Sequence, residues 1–229
     1  MNNKNSVPKT NSKKPNMTPK DSNLTSLTPL QRFKTSMNIG FEEWHDGIGY
    51  NIPAIRLASQ EELDEIEKIL INHRPRDWRD IEALAEINTK RSRETIKDVI
   101  KDQNPVLRIA VIRFTPDLIT DNERTQSIIY ALQNTEIFSG FSNLLEEVEI
   151  YHPKKVKEAL IKGLLNRTGD VAVHFAAMLF YLYGKAKEPF DWKQRPFFLR
   201  FNTENRKKRV KVFRKLCQKL KINPEKYLQ

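Results

Sequence analysis

A chain of 229 residues with 38% hydrophobic content can bury one sizeable core or two small ones, which excludes a wholly disordered protein. Seven glycines are too few for the tight turns of a sandwich or barrel, and the single cysteine, Cys217, excludes an internal disulfide or a multi-cysteine zinc site. The net charge of +11 is unevenly spread, with +4 on residues 1–30, +10 on residues 194–229 and −3 on the body between, so the chain is asymmetric rather than uniformly basic.

Residues 1–28 are Asn, Lys, Ser, Thr and Pro with almost nothing to bury, and are expected to form a disordered basic tail. Helical signals then recur along residues 29–229, taken as one domain. Ser59 and Glu62 form a capping box ahead of Leu63, Ile66, Ile69 and Leu70, and Pro75 ends the run. Asp77 is a cap for a helix carrying Trp78, Ile81 and Leu84; Thr89 or Ser92 opens the next, with Ile96 and Val99 inward. Asn104 followed by Pro105 reads as an N-cap with proline at the first helical position. Further helices are expected from Asp121, over roughly 141–150, and from Pro153. The most apolar one is capped by Asp170 and closed by Gly184. A last long helix is expected to start from Thr203, burying Val210, Phe213, Leu216, Cys217 and Leu220, and Asn223-Pro224 begins a final turn.

Two helix pairs share one arrangement. In 95–114 and 159–180 an amphipathic helix, a short polar turn and a second helix bring Val106, Arg108 and Ala110 into correspondence with Ala172, His174 and Ala176. Short antiparallel pairs cannot bury a face alone, and stack. Residues 59–184 thus resemble HEAT-like α-helical repeat proteins. The resemblance implies an all-α fold, a short right-handed α-solenoid, with residues 188–229 departing from the pattern as a C-terminal cap.

The segment 188–209, EPFDWKQRPFFLRFNTENRKKR, breaks helical periodicity with Pro189 and Pro196 and crowds Phe190, Phe197, Phe198 and Phe201 among charges. The phenylalanines are too apolar to leave wet and should plug the end of the repeats. Trp192, Arg195, Arg200 and Asp191 remain as candidate partner-binding residues, with Trp78 and Arg108 on the repeats. The chain also resembles bacterial HEAT-repeat proteins of the immunity or adaptor type. That resemblance implies a non-enzymatic module that binds a protein partner, a toxin being the implied one. A second resemblance, to HEAT-like alkylpurine DNA glycosylases, would give Asp191, Trp192 and Trp78 roles at a lesion, but the longer tryptophan-rich motif of that family is missing. Nucleic acid or phosphate contact would then fall to Arg206, Lys207, Lys208 and Arg209.

Other chemistry finds little support. His45-Asp46 beside Glu42 and Glu43 matches HD-type phosphohydrolases only in the dipeptide, and no histidine pair has ligand spacing. No P-loop, dinucleotide fingerprint or nucleophile elbow is present, so no cofactor or metal is expected. His174 on an apolar helix reads as a turn-facing histidine, and Cys217 as inert packing. With neither a signal-type apolar run at the start nor a stretch of 18 apolar residues, the expected location is the cytoplasm.

Overall fold

The computed structural model describes residues 27–228 apart from Phe41, Trp44 and His45. The lysine-bearing segment before Leu27 and the histidine of the His45-Asp46 dipeptide therefore lie outside the described residues. Among those residues all regular structure is helical, in twelve α-helices and four 3₁₀ turns with no strand. The chain divides between Glu65 and Ile66 into two compact units.

The first unit contains α1 (Pro29–Met37), α2 (Ile52–Leu57) and the first residues of α3 (Gln60–Asn72). Thr28 belongs to this unit rather than to a tail: its hydroxyl accepts from the Gln31 amide while the Gln31 side chain accepts from Thr28 N–H, and Pro29 follows at the first helical position. Fully buried Phe33 meets Tyr50 edge-on at 5.4 Å. The Ser59–Glu62 box forms as its sequence predicts. The Glu62 carboxylate also accepts from Leu30 N–H, and the bonds from the Ser59 and Leu30 amides hold it below the usual carboxylate range.

In the second unit each helix start is set by local chemistry. Asp77 caps α4 (Trp78–Ile87) in a box with Asp80, and Thr89 caps α5 (Lys90–Val99). Asn104 and Pro105 open α6 (Pro105–Phe114), and Thr120 with Glu123 opens α7 (Asp121–Asn134). The helices α8 (Phe141–Ile150), α9 (Lys154–Asn166) and α10 (Gly169–Leu182) follow. Two starts differ from the sequence expectation. Asp170 lies inside the first turn of α10, where its carboxylate accepts from Asn202 instead of capping. The last long helix, α12 (Arg206–Leu220), is capped by Asn205, whose side chain accepts from Lys208 N–H; Thr203 serves one step earlier by accepting from Asn205 N–H.

Packing within this unit proceeds in order: α6 lies against α7 and α8, α7 against α9, α8 against α10, and α9 against α10 and α12. The start of α6, at Val106, abuts the start of α8, at Gly140. Phe141 of α8 meets His174 and Phe175 early in α10, and Glu149 accepts from Tyr181 near their far ends at 3.0 Å. Arg113, near the end of α6, donates to Asn143 and Glu146 farther along α8, so the three helices run side by side in one direction. Their core is the apolar set from Ile109 and Leu144 through Leu160, Phe175 and Leu179 to Phe213.

Arginines close the helix ends. Arg108 of α6 donates to the carbonyls of Lys101 and Asp102 just beyond α5. Arg167, at the end of α9, donates to the carbonyls of Gln133 and Thr135 at the end of α7, and to the Glu136 carboxylate at 2.7 Å. Arg209 of α12 donates to the carbonyls of Leu165 and Arg167 at the end of α9. Each guanidinium satisfies carbonyls that have no partner within their own helix and sits where the dipole favours a cation.

Gly163 of α9 faces the fully buried ring of Phe175, and a Cβ there would come within 2.6 Å of Phe175 Cε2. Alanine has the better helix propensity by about 1 kcal/mol, but overpacking a filled core costs about 1–3 kcal/mol. We expect Gly163→Ala to lower the melting temperature by a few degrees, with Phe175→Leu in the same chain restoring part of the loss; thermal denaturation followed by circular dichroism checks both.

Candidate interaction surface

The chain leaves α10 through Gly184, whose φ of +68° allows a Schellman closure: Lys185 N–H bonds the Phe180 carbonyl at 2.9 Å and Gly184 N–H bonds that of Tyr181 at 2.8 Å. Asp191 then caps a 3₁₀ turn, Trp192–Gln194, accepting from Lys193 N–H at 2.9 Å. A single turn, α11 (Arg195–Phe198), and a second 3₁₀ turn, Leu199–Phe201, lead towards α12. With Pro189 and Pro196 in place no long helix can run through, and the segment folds as consecutive short turns.

Those turns sort the aromatic rings. Phe198 and Phe201 are fully buried, and Phe190 and Phe197 pack partly buried against the core, as the sequence predicts for a plug. Trp192 is left outside, 70% exposed. It stands at the end of a row of rings that begins in the core: Phe141 against His174 at 5.6 Å, His174 against Phe190 at 5.0 Å, and Phe190 against Trp192 at 5.7 Å. The Arg195 guanidinium lies 5.3 Å from the indole. A groove of about 550 Å³ opens beside it, lined by Lys185, Lys187, Glu188, Asp191, Trp192 and Lys193 among others. The row supports Trp192 from beneath and leaves the outer face of its indole exposed.

The sequence candidates separate into distinct places. Asp191, Trp192 and Arg195 are neighbours on this surface. Trp78 is not with them; half-buried, it stacks on Phe114 at the end of α6, whereas the ring row springs from beside the start of that helix. Arg108 is committed to its carbonyls and stacks over Tyr130 at 3.9 Å. Arg200 is exposed and lines a second groove, of about 280 Å³, with Thr203, Lys208, Lys211 and Val212. Arg206, Lys207 and Lys208 are exposed, but Arg209 is 6% exposed and faces inward.

Two features escape sequence reasoning. His174 is more than a turn-facing side chain, because it links Phe141 to Phe190; the signal would have been two separate aromatics seeking one helix position. Phe138 is 91% exposed on the loop before α8, while Ile137 beside it packs partly buried against the core.

His73, Asp80 and Cys217 are each engaged by the fold. The Arg76 guanidinium donates to His73 Nδ1, so Nε2 carries the proton and donates to buried Asp80 at 3.1 Å; neither nitrogen is left for a substrate. The Asp80 carboxylate also accepts from Arg76 N–H at 2.7 Å. Burial pushes the Cys217 thiol up to about 12, which leaves no thiolate at neutral pH. Among the described residues no group of three His, Cys, Asp or Glu side chains is placed to hold a metal ion, and no helix is long and apolar enough to cross a membrane.

No protein-family model, no curated protein and no solved structure matches this chain.

Burial lowers the pKa of His174, against a smaller opposing pull from Asp170. The unfolded chain then binds a proton near pH 6.5 that the folded chain refuses, so stability is lost as pH falls below that value. We expect the melting temperature to drop between pH 7 and pH 5, and His174→Gln to show a shallower drop over the same range.

Proposed function

We propose that this protein is a binding module built from HEAT-like helical repeats and that it recognises a protein partner through Trp192, Arg195 and Asp191. The observation that carries the reading is the exposed Trp192, braced by the row of rings beneath it and flanked by the Arg195 guanidinium at the edge of a groove. Tryptophan and arginine are the residues that most often dominate interface energetics, and an indole held in place loses little entropy on binding. The side-by-side course of α6, α8 and α10 supports the repeat reading, since parallel second helices are what stacked pairs produce. The partner class implied by the resemblance to immunity and adaptor proteins is a toxin, neutralised by being covered.

The test is capture of a partner from the native cells by the tagged full chain after nuclease treatment, followed by reconstitution from purified components. We expect a stoichiometric complex that survives moderate salt, and a loss of affinity of at least about 30-fold, or 2 kcal/mol, for Trp192→Ala. Arg195→Ala is expected to weaken binding less. An unchanged dissociation constant in both variants overturns the interface.

A further inference from the structure

Residues 185–229 hold fifteen basic and four acidic residues, so they carry a net charge equal to that of the whole chain, +11. The concentration is greatest on α12, which contains no acidic residue at all. Its inward register is Arg209, Val212, Phe213, Leu216, Cys217 and Leu220. The outward positions include Lys208, Lys211 and Lys215, spaced so that they line one side of the helix, with Arg206 and Lys207 alongside at its start.

For a cap whose only task is to be wet, this arrangement is unfavourable twice over. Lysines at i and i+4, as in Lys207 with Lys211 and Lys211 with Lys215, repel each other. Three exposed cations in the first turn, Arg206 to Lys208, oppose the helix dipole, which favours anions there. A surface meant only for solubility interleaves both signs. Of the outward cations, Arg214 is paired, with Glu225 at 3.0 Å, but the described residues supply no carboxylate within ion-pair reach of Arg206, Lys207, Lys208, Lys211 or Lys215. Arg200 comes from a different element to join Lys208 and Lys211 around the groove of about 280 Å³.

We propose that this face of α12, with Arg200 and the groove it lines, is a nucleic-acid surface that binds the phosphate backbone without reading sequence. An array of phosphates relieves both repulsions at once, and a row of cations along a helix is suited to a repeating polyanion. A protein partner fits less well, because lysine is depleted at protein interfaces and this face offers no exposed aromatic anchor of its own. A membrane surface would call for an exposed apolar row beside the cations, and along α12 every apolar residue but the half-buried Val210 faces the core. The inference is independent of the partner assigned to Trp192.

Fluorescence anisotropy of the full chain tests it, with a fluorescein-labelled 20-nucleotide DNA strand and its duplex as probes and salt varied from 50 to 300 mM. We expect binding at 50 mM that falls steeply with salt. Lys208→Gln/Lys211→Gln/Lys215→Gln should weaken it at least tenfold and reduce the log–log salt slope by about 2–3, at about 0.7–0.9 for each phosphate that is no longer neutralised. Its melting temperature should equal or exceed that of the parent, since only repulsion is removed. Trp192→Ala should leave DNA affinity unchanged. Absence of binding at 50 mM overturns the proposal. So does an affinity unmoved by the triple substitution, which would place the DNA-binding surface elsewhere on the chain. Displacement of the probe by poly-glutamate or by phosphatidylserine vesicles as readily as by unlabelled DNA would also overturn it, as any polyanion would then suffice.

Discussion

The second unit depends on how its helix ends are finished. An α-helix leaves its last carbonyls without partners, and at packed ends water cannot reach all of them. Arg108, Arg167 and Arg209 meet that need at the ends of α5, α7 and α9, each sent from a different segment of the chain. A lysine would bring a compact ammonium on a flexible stem in their place, whereas a planar, pre-organised guanidinium spans two carbonyls and keeps its charge when buried. Because each arginine bonds a helix other than its own, the same contacts that satisfy the backbone also fix which ends lie together. The side-by-side course of α6, α8 and α10 follows from that alignment and from the Gly163–Phe175 approach that lets α9 and α10 come close.

Much of this was legible in the sequence where the signal was local. Ser59 with Glu62, Asp77, Thr89 and Asn104 with Pro105 announce helix starts, because a cap is decided within four residues. The bounds of α8 were read from the spacing of Phe141, Leu144, Leu145 and Val148, and the turn at Gly184 from its glycine. Where a side chain had a distant alternative the reading failed. Asp170 is claimed by Asn202, thirty-two residues on, and gives up the cap. On α12 the pattern suggested Val210 inward, but the register places Arg209 and Val212 there instead. A buried arginine goes unnoticed when only apolar residues are counted towards the core, and the carbonyls it serves lie more than forty residues away.

The candidate surface shows the same division. That four phenylalanines should plug the end of the repeats while Trp192 stays outside could be argued from polarity and proline placement. That Trp192 stands on a row reaching back through His174 to Phe141 could not, since Phe141, His174 and Phe190 belong to separate elements and no local pattern links them. Residues 185–229 thus carry two unlike faces, one offering an indole and a guanidinium at the edge of a groove, the other a lysine-rich helix side. Their chemistry differs enough that neither could substitute for the other: the indole is apolar, whereas the lysine row is a line of hydrated cations.

The arginine at position 209 also bears on the order in which the molecule can be completed. As the chain leaves the ribosome, α9 and α10 are available to pair well before α12 exists, yet the carbonyls of Leu165 and Arg167 have no guanidinium to receive, and the side of the core later filled by Phe213 is open. That edge stays unfinished until α12 is in place, and α12 acts as the closing piece: the helix that displays the cations outward is also the one that seals the fold inward.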